Sequence, residues 1–142
     1  KPILDSIRQI HAMKIWLEVV TLVVPGLNDS DAELAQIASF LAGVSLDIPW
    51  HVTAFHGDYQ MLSQRNTPAE TLVRAATIGR RSGLRYVYAG NLAGRTGDLE
   101  NTFCPGCGDT LVTRRGFRVL DCMVTSEGRC PSCLASIPGL WP

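Results

Sequence analysis

Two cysteine pairs, Cys104-Pro-Gly-Cys107 and Cys130-Pro-Ser-Cys133, carry the clearest chemistry in the sequence. Each C-x-x-C places two thiolates on a single turn whose amides can point at the sulfurs. Two such turns face to face make a closed four-thiolate shell around one tetrahedral ion, and zinc is the expected ion. Twenty-two residues separate Cys107 from Cys130, slightly more than the usual zinc spacing. Two disulfides, a rubredoxin-like iron or an auxiliary iron–sulfur cluster are the alternatives the spacing leaves open. Adjacent C-x-x-C pairs in a chain with no visible signal peptide favour metal or redox chemistry over disulfides. Cys122 follows the apolar pair Val119-Leu120 without a nearby cysteine and reads as a small buried residue rather than a fifth ligand.

The segment 101–142 reads as a four-cysteine, zinc-ribbon-like module, too short to bury a self-sufficient core without a staple. Thr110-Leu-Val-Thr113 and Gly116-Phe-Arg-Val-Leu120, on either side of Arg114-Arg115-Gly116, predict a hairpin between the cysteine turns. Ribbons often bind nucleic acid, but here Asp109, Asp121 and Glu127 nearly cancel Arg114, Arg115, Arg118 and Arg129, so no nucleic-acid partner is expected. The whole chain has 142 residues, 46% of them hydrophobic and 18% charged, with a formal net charge of zero, which fits one ordinary domain plus the ribbon. The longest apolar stretch, Val19 to Pro25, is far short of a membrane span, and a cytoplasmic location is expected. The start at Lys1, inside an amphipathic pattern and without an initiator Met, reads as a piece of something longer.

Residues 1–100 alternate helix and strand signals. Ile3, Leu4, Ile7, Ile10 and His11 follow helical spacing. The run from Ile15 to Val24 reads as a strand apolar on both faces, as in a covered parallel sheet. Pro25-Gly26 stops it. Ser30-Asp-Ala-Glu33 predicts a capping box for a helix burying Leu34, Ile37, Ala38 and Leu41 and stopping at Gly43. The cycle repeats with a strand over Pro49 to Phe55, a second capping box at Thr67-Pro-Ala-Glu70, a helix ending at Gly83, and a third strand over Arg85 to Ala89. The expected fold class is α/β: about half of a parallel (β/α) barrel followed by a small zinc ribbon. Chemistry in such folds collects at the carboxyl ends of strands, here Pro25 to Ser30, His56 to Asn66 and Gly90 to Gly97.

Val23-Val-Pro-Gly-Leu-Asn-Asp-Ser30, His51-Val-Thr-Ala-Phe-His56 with Asp58-Tyr59, Tyr86-Val-Tyr-Ala-Gly-Asn91 and the closing Ile137-Pro-Gly-Leu-Trp141 together resemble the radical SAM enzyme of the AmmeMemoRadiSam system. That family is related to the pyruvate formate-lyase activating enzymes, and the likeness covers essentially the whole chain in order. It implies the C-terminal part of a radical SAM barrel over residues 1–100. It also implies a parent that uses S-adenosylmethionine and a four-iron (4Fe-4S) cluster to form a 5′-deoxyadenosyl radical and abstract hydrogen from a substrate. The C-x-x-x-C-x-x-C loop that holds the cluster is absent from this sequence, so the chain by itself is expected to be inactive and to need the missing N-terminal half of the barrel as partner. By motif position the resemblance points to His56 as a cofactor contact, with Thr21 and Leu22 beside adenosine and Asn91 as a lining residue. A protein substrate or partner for the ribbon is the accompanying expectation. The competing class is a non-catalytic binding module in which a small α/β scaffold presents the ribbon to a protein or to nucleic acid.

Other polar residues have structural readings. His51, five residues before His56, is expected on the opposite face of the strand, packed against a helix. Glu18, a carboxylate inside an apolar strand, needs a basic partner or a place in the barrel mouth. Asp58 and Tyr59 sit at a turn, and Asn28, Asp29 and Ser30 start a helix. Leu134 stands where the first knuckle has Gly108, a position at which glycine eases a positive φ.

Overall fold

The computed structural model describes residues 2–141. Its elements run α1 Pro2–Ala12, β1 Val19–Val23, α2 Asp31–Val44, β2 Trp50–Ala54, α3 Ala69–Arg81, β3 Val87–Gly90, β4 Thr102–Phe103, β5 Thr110–Arg115 and β6 Arg118–Cys122. Strands β1, β2 and β3 form a parallel sheet in that order, and β4, β5 and β6 form an antiparallel one. Each parallel connection passes through a helix, α2 or α3, as parallel pairing of neighbours in sequence demands.

Side-chain alternation sorts the parallel sheet into two faces. Val19, Trp50 and Val87 lie in register, as do Thr21, Val52 and Ala89. With Val23 and Ala54 they form the face covered by the helices, whose Leu34, Ala38, Leu41, Leu72, Ala75 and Ala76 complete one core. The other face carries the rows Val20, His51, Tyr88 and Leu22, Thr53, Gly90. No helix covers it. The continuous apolar run in β1 predicted burial on both faces, yet Val20 and Leu22 are 64% and 47% exposed.

The start of α2 follows its sequence signature: the Ser30 hydroxyl accepts from the Glu33 amide at 3.3 Å and donates to the Glu33 carboxylate at 2.6 Å. Gly43 lies inside α2, which runs to Val44 and is capped by Ser45. The expected capping box at α3 does not form. Pro68 is the N-cap without a side-chain bond, because the Thr67 hydroxyl is drawn inward, donating to the Val23 carbonyl at 2.5 Å and accepting from the Phe55 amide at 2.9 Å. Two buried strand ends are thus tied by one hydroxyl, a better use of it than a cap in solvent.

Helix α3 approaches the sheet at Gly79, where an added Cβ would lie 2.8 Å from Cε3 and 2.9 Å from Cζ3 of Trp50. Gly79→Ala therefore trades about 1 kcal/mol of helix propensity against overpacking of about 1–3 kcal/mol by a ring that cannot move aside. We expect a net loss of stability, read as a lower urea midpoint at unchanged slope.

Candidate metal centre and the adjoining cavity

The two cysteine turns are built alike. In the first, the Gly108 amide donates to the Cys104 carbonyl at 3.0 Å and the Cys104 amide to the Asp109 carbonyl at 2.8 Å. In the second, Leu134 donates to Cys130 at 3.0 Å and Cys130 to Ala135 at 2.9 Å. Both turns need a left-handed residue after the second cysteine, supplied by Gly108 at φ 82° and by Leu134 at φ 62°. A leucine there carries strain that glycine does not. Leu134 is 64% exposed and loses little packing if shortened, so Leu134→Gly should stabilise the ribbon by about 0.5–1 kcal/mol after the glycine entropy cost. Competition with a zinc chelator should show correspondingly tighter metal retention.

All five cysteines are free thiols, which leaves the disulfide alternative without support. The sulfurs of Cys104, Cys107, Cys130 and Cys133 all lie within 4.8 Å of one another. Cys104 Sγ is 3.4 Å from Cys133 Sγ, and Cys107 Sγ is 3.6 Å from Cys130 Sγ. Metal–sulfur bonds of 2.3 Å in a regular tetrahedron separate sulfurs by about 3.8 Å, so the four fit one zinc-sized ion. Four-thiolate coordination would leave such an ion no open position. Cys104 and Cys130 are buried beneath Leu111, Val112 and Ile137, while Cys107 and Cys133 face outward.

The metal-free thiols differ in acidity. Burial raises the pKa of Cys104, but the Cys107 and Gly106 amides outweigh it and bring the value down to about 6. Cys107 is pushed up to about 12: its amide bond from Asp109 lowers the pKa, but burial and the neighbouring cysteine sulfurs raise it more. Cys133 also lies above its ordinary value, the sulfur of Cys104 and burial outweighing the Ala135 amide. Cys122, expected to be buried, is instead exposed on β6, whose five residues all face solvent because nothing packs on that edge strand. The hairpin is longer than its signature, with the turn at Gly116-Phe117, Gly116 at φ 59° and Phe117 fully exposed.

Between the ribbon and the helix-free face of the parallel sheet lies an open cavity of about 760 Å³. Glu18, just ahead of β1, accepts from the Trp16 indole at 3.0 Å and pairs with His51 Nε2 at 2.6 Å. The His51 ring stacks on Tyr88 at 5.0 Å between centroids. Tyr88 Oη and Thr102 Oγ1 share a hydrogen bond of 2.9 Å, and Arg114 Nη1 donates to the same Thr102 oxygen at 2.7 Å while its guanidinium stands over the Tyr88 ring. Burial raises the pKa of both Tyr86 and Tyr88, so each phenol keeps its proton.

His51 is thus not packed against a helix. The expectation carried strand parity backwards from His56, but β2 ends at Ala54 and the chain has left the strand before His56. Glu18 does find its basic partner. The residues assigned by resemblance are dispersed. His56 is exposed beyond β2, Leu22 is exposed on the open face, and Thr21 lies on the covered face, where its hydroxyl accepts from the Trp50 indole at 2.9 Å. Asn91, at φ 68°, donates to the Ala54 carbonyl at 3.1 Å and alone among these four lines the cavity. Sequence reasoning missed Tyr86, Tyr88, Arg114 and Thr102 as cavity residues. The spacing of Tyr86 and Tyr88, two apart in a strand, was the available signal.

Fold and site together define a mixed α/β protein with two small sheets and a four-cysteine cluster that can bind a metal ion. No family model matches the chain, and no solved structure matches it. It is 36% identical over 136 residues to an uncharacterized protein of Methanocaldococcus jannaschii, an alignment that takes in 94% of this chain and 40% of that protein. The chain therefore spans about two-fifths of the length of the curated relative it matches. Among the described residues no helix is long and apolar enough to cross a membrane.

Proposed function

We propose that the C-terminal ribbon is a structural zinc module, which docks the α/β unit against a protein partner without itself carrying out chemistry. The observation that carries this reading is the cage of four sulfurs within 4.8 Å, which fits one ion and leaves it no exchangeable position. Cys104, Cys107, Cys130 and Cys133 hold the ion, which supplies folding free energy. A protein partner suits the module better than nucleic acid, since its arginines are offset by Asp109, Asp121 and Glu127.

A second reading has support in the parallel sheet and the motifs. In it, the chain is the C-terminal portion of a radical SAM enzyme of the AmmeMemoRadiSam type, residues 1–100 being later strands of its barrel, with His56, Thr21, Leu22 and Asn91 toward S-adenosylmethionine. The bare β1 edge and the helix-free face carrying Val20 and Leu22 suit a sheet that continues into further strands. The cluster ligands lie outside this chain: no C-x-x-x-C-x-x-C occurs in it, and the four ribbon sulfurs have room for a single ion. Zinc and iron measured together decide between the readings, on this chain and on an upstream-extended protein reconstituted anaerobically. One zinc in both and no iron in either supports the binding module alone. About four irons gained on extension, with cleavage of S-adenosylmethionine, supports the radical enzyme.

A further inference from the structure

We infer that the cavity between the parallel sheet and the ribbon binds an organic carboxylate with an apolar or aromatic body, anchored by Arg114. Among the described residues Arg74 and Arg114 are the half-buried arginines; Arg74 pairs with Asp31, and Arg114 forms no ion pair. Its bond to Thr102 and its contact with Tyr88 leave N–H donors of the guanidinium fork for a ligand. A cation held out of bulk water in this way favours an anion across from it, and the planar fork matches a carboxylate.

The acids of the cavity cannot serve that role, because both are already engaged. Glu18 is taken by Trp16 and His51, and Glu100 accepts from the backbone amides of Gly94 and Gly116. A second, independent observation is Tyr86. Its residue is only 4% exposed, it lines the cavity, and its buried hydroxyl has no hydrogen-bond partner. Such orphaned groups are rare in folded proteins and mark a place where a partner belongs. The phenol keeps its proton, so the partner it lacks is an acceptor.

With Glu18 paired to His51 and Glu100 held by backbone amides, Arg114 is the one cation left for a ligand, and its planar fork matches a singly charged carboxylate better than a phosphate dianion. The remaining walls are aromatic and apolar, with Trp16, Tyr88, Phe117 and Trp141 around a volume suited to a small organic molecule. His51, paired with Glu18 through Nε2, forms part of the same wall. The assignment needs only the cavity and is independent of any cluster chemistry.

The test is NMR of the zinc-loaded full chain, following arginine side-chain and histidine ring signals during titration with 3-phenylpropionate and, separately, with the isosteric cation 3-phenylpropylamine. The carboxylate should saturate with a roughly millimolar dissociation constant, as expected for a fragment of this size, and the amine should not bind. Arg114→Met should weaken binding at least about tenfold, while Arg118→Met, on the exposed strand β6, should bind like the parent chain. Tyr86→Phe removes the orphaned hydroxyl, so it should fold as well as the parent or better and still bind several-fold more weakly. Equal binding of acid and amine, absence of saturation, or unchanged affinity in both Arg114→Met and Tyr86→Phe overturns the proposal. A tripeptide ending in phenylalanine, free or amidated, separates the sources of the carboxylate. Tighter binding of the free peptide than of the small acid assigns the site to a chain terminus, and the reverse assigns it to a free small acid.

Discussion

Chelation of the bound zinc is expected to unfold the ribbon while α2, α3 and the parallel sheet keep their structure. The ribbon's buried residues, Cys104, Leu111, Val112, Cys130 and Ile137, form a cluster separate from the core beneath the helices, and two of the five are candidate metal ligands. A core that small cannot offset the chain entropy of some forty residues. The metal supplies about 10–16 kcal/mol of apparent binding free energy in comparable peptides, more than a domain's usual net stability. Trp141 packs against Gly128 and Gly139, with its indole donating to the Ile137 carbonyl at 2.8 Å, so near-ultraviolet and fluorescence signals should report the loss while helical circular dichroism persists. Loss of both signals together would show that the two cores fold as one. The same equilibrium should depend steeply on pH. Cys107 and Cys133, raised in the metal-free site, are protonated at pH 7 and must give up their protons on binding, whereas Cys104, at about 6, is already largely ionised. Affinity therefore rises with pH from about 7 toward the raised value of Cys107, near 12, releasing at least these two protons per ion, and falls as the solution is acidified. A buffer-dependent heat of zinc binding measures the number directly.

Trp50→Ala is expected to cost about 3–5 kcal/mol, most or all of what a unit of this size has to spare. Trp50 is completely buried at the centre of the parallel sheet, in register with Val19 and Val87, and its ring is the surface on which Gly79 of α3 rests. The substitution opens a cavity beneath the helix and leaves the Thr21 hydroxyl without its donor. Trp50→Phe keeps most of the volume and should cost less than half as much. Urea unfolding followed by helical circular dichroism checks both. Bound zinc, counted at the same time, should remain at one per chain in each variant, because Trp50 belongs to the other core.

What could be read from the sequence was what local chemistry alone decides. The metal cage follows from cysteine spacing within two turns that close on their own amides, and the α2 cap follows from Ser30 and Glu33, three residues apart. The alternation of strands and helices was equally visible, although β1 and β3 are shorter than their apolar runs. What stayed hidden depends on contacts between distant residues. Thr67 looks like a cap until Val23 and Phe55 come within reach of its hydroxyl. His51 takes its side of the sheet from where β2 ends, and that end is set by pairing with β1 and β3. Cys122 looks buried beside Val119 and Leu120, but β6 is an edge with nothing laid over it.

Thr102 and Arg114 belong to the ribbon, Tyr88 to the parallel sheet, and the hydroxyl and guanidinium that meet over the tyrosine ring span the two. The cage that orders the ribbon therefore also sets the position of the cavity's cation. Occupancy of one place must then be linked to occupancy of the other: whatever factor zinc adds to the affinity for an anion at Arg114, that anion returns to the affinity for zinc. Scarcity of the metal would be felt as a loss of ligand, without any change at the ligand's own contacts.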